Sequence, residues 1–162
     1  MSQPAFLKKI VDRGDIAGRI HRLPRPIVFT NGVFDVLHRG HATYLANARA
    51  LGGSLIVALN TDASARLLGK GPDRPLNNEV DRAVMIAALE SVGLVTWFDE
   101  NTPLQLIAEI QPDILVKGGD YDMDTLPETA VVKAYGGTAL AISFVDGYST
   151  TALVKKIRDS SA

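Results

Sequence analysis

The stretch FTNGVFDVLHRGH, residues 29–41, decides how the rest of the chain is read. It leaves an apolar run at Phe29 and Thr30, turns through Asn31-Gly32, and delivers His38 and His41 to the start of an amphipathic segment. An apolar strand that feeds a helix through a short turn is the first half of a strand, helix, strand unit. The unpaired N–H groups at such a helix start, with the positive end of its dipole, attract anions. Two imidazoles there add donors for phosphoryl oxygens, and Gly40 between them leaves no side chain in a phosphate's way.

Working outward, residues 27–30 read as a strand buried in a parallel sheet, and a helix is predicted from about residue 39 to 51, ended by Gly52-Gly53. Its Tyr44, Leu45, Ala48 and Leu51 would face the sheet. Residues 54–60, SLIVALN, form the second strand, and a crossover of this kind implies a parallel, right-handed arrangement. Further strands are predicted at 92–98, 114–116 and 138–144. Helices are predicted at 61–68, at 78–90 with an Asn cap, between a Thr102-Pro103 start and Pro112, at 128–135 and at 149–158. Residues 69–77, GKGPDRPLN, read as a mobile loop. The expectation is one α/β domain, a doubly wound, five-stranded parallel sheet with its ligands at the carboxyl ends of the strands. Before it, residues 1–26 are expected as an N-terminal helical extension, a short helix with a loose lead-in: apolar residues recur at roughly helical spacing, Gly14 and Gly18 weaken the pattern, and Leu23-Pro24-Arg25-Pro26 stops it. The domain itself is expected to span 27–162.

Composition narrows the classes. A chain of 162 residues, 46% of them hydrophobic, suffices for one core. A formal net charge of −1 provides no basic field of the kind that gathers nucleic acid, so any polyanion site is local. The absence of cysteine excludes disulfides and thiolate metal sites. No apolar run suits a signal peptide or reaches the roughly 20 residues of a membrane span, so a soluble cytoplasmic protein is expected, with neither nucleic acid nor membrane as partner.

Three segments carry a family resemblance. His38-Arg39-Gly40-His41, preceded by Thr30-Asn31-Gly32 and Phe34-Asp35, resembles the HxGH signature of the cytidylyltransferase-like nucleotidyltransferases. Lys117-Gly118-Gly119-Asp120-Tyr121 and Gly147-Tyr148-Ser149-Thr150-Thr151 resemble that family's two later site segments, in the right order. Within the family, residues 144–147, FVDG, are similar to members that adenylylate a heptose 1-phosphate; Phe144 and Val154 stand where polyol-phosphate cytidylyltransferases often carry arginine.

The resemblance implies a Rossmann-like nucleotidyltransferase fold and transfer of AMP from ATP to a sugar 1-phosphate, with a divalent cation, Mg²⁺, on the triphosphate and no confident protein metal ligand. It also implies a homo-oligomer. A polyol-phosphate cytidylyltransferase and a non-catalytic nucleotide-binding regulator are the alternatives. His38, His41 and Lys70 would be catalytic. Thr30, Asn31, Gly32, Phe34, Gly40, Arg82, Lys117, Gly119, Ser149, Thr150 and Thr151 would hold the nucleotide. Asn31, Asp35 and Asp120 would hold the second substrate, and Arg74 would assist Lys70.

Each has a plainer reading. The histidines could be ordinary helix-start residues; a zinc site lacks further ligands, since His21 is the only other histidine and there is no cysteine. Asn31 and Asp35 could be turn formers. Lys70 could be a solvated charge, and Arg82 could pair with Glu79 or Glu90 on a helix surface. Glycines at 118 and 119 could serve a tight turn, and Ser149 to Thr151 could simply cap a helix.

Overall fold

The computed structural model describes residues 2–160. Its centre is a five-stranded sheet: β1 Ile27–Gly32, β2 Ser54–Asn60, β3 Leu94–Phe98, β4 Ile114–Gly118 and β5 Thr138–Ile142. The order is β3-β2-β1-β4-β5 and every pairing is parallel, with Ile27 opposite Ser54 and Val28 opposite Ile114. The chain moves outward from β1 in one direction and then, from β4, in the other. A crevice therefore opens between the ends of β1 and β4.

Alternation along β1 sorts its residues between two cores. Ile27 and Phe29 pack with Leu115, Leu106, Ile107, Ile110 and Val132, on the face covered by α5 Leu104–Ile110 and α6 Pro127–Ala134. Val28 packs with Tyr44, Leu45, Ala48, Ala83 and Ile86, on the face covered by α2 Arg39–Arg49 and α4 Glu79–Ala87. Between β2 and α4 lies α3, Asp62–Leu67; α7, Thr150–Ser160, ends the described chain. The expected Asn cap of α4 forms, Asn78 Oδ1 accepting from Asp81 N, and α3 is capped by Thr61, whose Oγ1 accepts from Ser64 N. Helix α5 differs, starting at Leu104 after Pro103, with no side-chain cap bond from Thr102. Among the described residues no helix is long and apolar enough to cross a membrane.

The described residues before β1 form 3-10 turns at Ala5–Lys9 and Arg13–Asp15 and a short helix α1, Ile16–Ile20. Ile10 bridges Val95 in parallel, and Val11 N donates to Val95 O at 2.9 Å, so this segment covers the open edge of β3. Gly14 and Gly18 weaken a continuous helix, and the edge of β3 offers the backbone another partner. Val11, Ile16 and Ile20 are buried in the same core as Ile27 and Phe29.

Candidate active site

The crevice is a cleft of about 690 Å³ at the carboxyl ends of β1 and β4. Asn31, Gly32, Phe34, Asp35, His38, His41, Lys70, Arg74, Lys117, Ser149, Thr150 and Thr151 all line it. Three segments far apart in sequence thus meet, because the sheet brings two strand ends side by side and α7 returns to the start of α2.

The histidines are built from their turn. His38 is the N-cap of α2 in extended conformation, and His41 lies in the first turn. Their rings stack with centroids 3.8 Å apart. Phe34, at φ 50, folds its ring edge-on against His41 at 5.2 Å; a Cβ on Gly32 would come within 2.9 Å of that ring, so glycine is needed there. Gly40 has a similar role, since a Cβ would sit 3.0 Å from the His38 ring and 3.1 Å from Tyr148 Cβ. Burial, then the charges of His38 and Lys70, push the His41 imidazole down to about 4; burial lowers His38 as well. Both rings are therefore neutral at pH 7. Nδ1 of each is buried without a hydrogen-bond partner among the described residues.

Two polar strand-end residues turn to opposite faces. Thr30 is fully buried and shares a 2.6 Å hydrogen bond with Tyr44 of α2, whose hydroxyl burial holds up to about 12. Thr30 does not line the cleft; its side chain fixes α2 on β1. Asn31 faces the other way, its Oδ1 accepting from Lys117 Nζ at 2.7 Å. Lys117 also donates to Glu128 Oε1 at 3.1 Å.

Asp35 and Arg82 are spent on holding backbone in place. The Asp35 carboxylate accepts from Leu76 N at 2.8 Å, Asn77 N at 2.9 Å and Arg74 Nη1 at 3.1 Å. It clamps the end of the 69–77 loop, so only the first part of that loop, with Lys70, is left without such anchors. A second tie, Arg158 to Asp73 at 3.0 Å, joins the loop to α7. Arg82 corrects the expectation more sharply: it lies 1% exposed, away from the cleft lining. It donates to Asn77 O, Val33 O, Asn60 O and Asp62 Oδ1 at 2.8 to 3.0 Å, and pairs with neither Glu79 nor Glu90. One guanidinium thus pins the carboxyl ends of β1 and β2 to α4. Ser149 Oγ caps α7 through Ala152 N at 3.0 Å, and Thr150 Oγ1 donates to Val36 O at 3.3 Å.

Gly119, at φ 119, and Asp120 lie beside the cleft rather than in its lining. Asp120 accepts a long 3.5 Å bond from Ser143. Sequence reasoning gave no site role to Tyr121 and Tyr148, which line the cleft, and none to Glu128, which stands behind Lys117. Phe144 lines the cleft too, and its ring presses on Gly118, where a Cβ would collide with it.

The family model described as cytidylyltransferase-like matches residues 29–159. Over 160 residues, 98% of this chain and 99% of the relative, the sequence is 60% identical to the D-beta-D-heptose 1-phosphate adenylyltransferase of Bordetella bronchiseptica. It is 52% identical to the bifunctional protein HldE of Marinomonas sp. over 130 residues, 80% of this chain but only 27% of that one. Among solved structures, the lipopolysaccharide core biosynthesis protein of Thermoplasma volcanium superposes with a TM-score of 0.62 at 30% identity, covering 76% of this chain and 98% of that one.

Proposed function

Because this chain belongs to the cytidylyltransferase-like family, we propose that it joins ATP and D-glycero-β-D-manno-heptose 1-phosphate to give ADP-heptose and pyrophosphate, a step in making lipopolysaccharide core precursors. The observation that carries the reading is 60% identity, end to end, with a heptose 1-phosphate adenylyltransferase. The bifunctional relative adds support for the adenylyl-transfer half alone, since this chain spans about 27% of its length.

The cleft suits the chemistry. A phosphate oxygen of the sugar 1-phosphate attacks the α-phosphorus of ATP; the bond from that phosphorus to the β-bridging oxygen breaks, and pyrophosphate leaves. The attacking oxygen is already ionised at neutral pH and needs no strong base. Positioning and charge stabilisation therefore dominate. His38 and His41, neutral and lining the cleft at the start of α2, can each give an N–H to phosphoryl oxygens. Lys70, on the less anchored part of its loop, can neutralise charge that develops on the leaving group. Ser149, Thr150 and Thr151 offer hydroxyls and helix-start N–H groups to the β- and γ-phosphates.

Among the described residues no three His, Asp or Glu side chains gather as metal ligands. Mg²⁺ is proposed as a counter-ion carried by the triphosphate, which fits its habit of keeping phosphate and water ligands, and no step runs through a protein-bound metal. A cytoplasmic location and assembly as a homo-oligomer belong to the same proposal; sedimentation in solution checks the latter.

Turnover of ATP or CTP with either heptose 1-phosphate or glycerol 3-phosphate tests the function. The expected result is the highest kcat/KM for ATP with heptose 1-phosphate. A higher value for CTP with glycerol 3-phosphate makes it a cytidylyltransferase, and no turnover with any pair makes it a regulator.

A further inference from the structure

The cleft has two polar ends on opposite faces of the sheet. On the α2 face stand His38 and His41, with Lys70 close enough to lower the His41 pKa and the hydroxyls of Ser149 to Thr151 at the neighbouring start of α7. On the α6 face stand Asn31 and Lys117, turned there because side chains alternate along β1 and β4. In-line displacement puts the attacking oxygen and the departing pyrophosphate on opposite sides of the α-phosphorus. With the triphosphate groups gathered at the first end, the incoming anion falls to the second.

That second end is held from behind. Lys117 Nζ carries three hydrogens: one goes to Asn31 Oδ1 at 2.7 Å and one to Glu128 Oε1 at 3.1 Å, which leaves one for a ligand. An ammonium only donates, so Asn31 keeps its carbonyl oxygen on the lysine and its NH₂ group stays available. Glu128 sits at the start of α6 with its side chain 7% exposed, outside the cleft lining. A buried cation without this carboxylate would be uncompensated before substrate arrives.

We propose that Glu128 is a positioning residue for the acceptor: by clamping the Lys117 ammonium against Asn31, it aims the remaining lysine N–H and the Asn31 NH₂ at the phosphate of the incoming sugar 1-phosphate. This rests on the sugar 1-phosphate adenylyltransferase reading above. A lysine held at two points is preorganised, so its contact with the acceptor costs little further ordering.

The test compares wild type, Glu128→Gln, Lys117→Met and the double variant in initial rates with each substrate varied in turn. Glu128→Gln is expected to raise KM for the sugar 1-phosphate on the order of tenfold while KM for ATP stays within about twofold. The double variant should be no worse than Lys117→Met, because Glu128 acts through the lysine. Equal rises in both KM values, a loss confined to kcat, or additive losses would overturn the inference. Wild-type turnover alone judges the underlying reading. Calorimetric titration of the sugar 1-phosphate into protein loaded with α,β-methylene ATP judges the inference without turnover: weaker uptake by Glu128→Gln supports it, and equal uptake, or none by wild type, overturns it. Should Glu128→Gln fail to fold, Glu128→Asp carries the same test, its shorter arm drawing the lysine out of place.

Discussion

The imidazole rings of His38 and His41 stack 3.8 Å apart with 21° between their planes, and each Nδ1 is buried without a hydrogen-bond partner among the described residues. Two rings so close resist a second positive charge, and burial resists the first. The pair is thereby held neutral at pH 7.

Replacing His41 with alanine should lower kcat by about 10²–10³, the usual loss for one preorganised donor, with a much smaller effect on ATP affinity. Steady-state rates and nucleotide titration measure the two effects separately. A folded variant with near wild-type kcat would remove His41 from the chemistry.

The same histidine predicts a pH dependence of stability. Its pKa falls from 6.5 to about 4 on folding, so between those values the unfolded chain binds the extra proton. The contribution is fully present above pH 6.5 and is lost as pH falls through the window toward 4. Urea midpoints of the ligand-free protein at pH 7.5 and 5 should drop less in His41→Gln than in wild type. An equal drop would mean that other groups govern acid sensitivity.

Lys70→Ala should slow turnover at saturating substrates and leave thermal stability unchanged. The side chain is exposed, so its loss costs little packing, whereas the proposed role of its charge is exerted on bound phosphates. Unaltered kcat would reduce Lys70 to a solvated charge.

Arg82→Met should cost about 3–5 kcal/mol of stability, because it removes a fully buried guanidinium that is the partner of a partly exposed Asp62 and of three carbonyls. Chemical denaturation measures the loss. Lost activity with intact stability would instead return Arg82 to the nucleotide.

Much of this was legible along the chain. Apolar runs of strand length alternate with amphipathic stretches, and Gly52-Gly53, Asn78 and Gly136-Gly137 mark where elements stop or start; these are local signals, carried by neighbours within a few residues. The placing of His38, His41 and Ser149 to Thr151 at helix starts belongs to the same class.

What only the tertiary structure decided was the fate of side chains whose partners are far away in sequence. Arg82, read as a phosphate contact or a surface charge, is surrounded by carbonyls from Val33 and Asn60 that sheet assembly brings within reach. Thr30 and Asn31 are adjacent in the same motif, yet one seals α2 to the sheet and the other faces Lys117, because a strand sends successive side chains to opposite faces. Asp35 became a clamp for Leu76 and Asn77 across forty residues of chain. Ile10 and Val11 pair with Val95 at the exposed edge of β3, a partner for their backbone that no local pattern can announce. Periodicity and turn chemistry specify an element; which polar groups remain free to meet a substrate depends on hydrogen bonds that exist only after distant elements have packed.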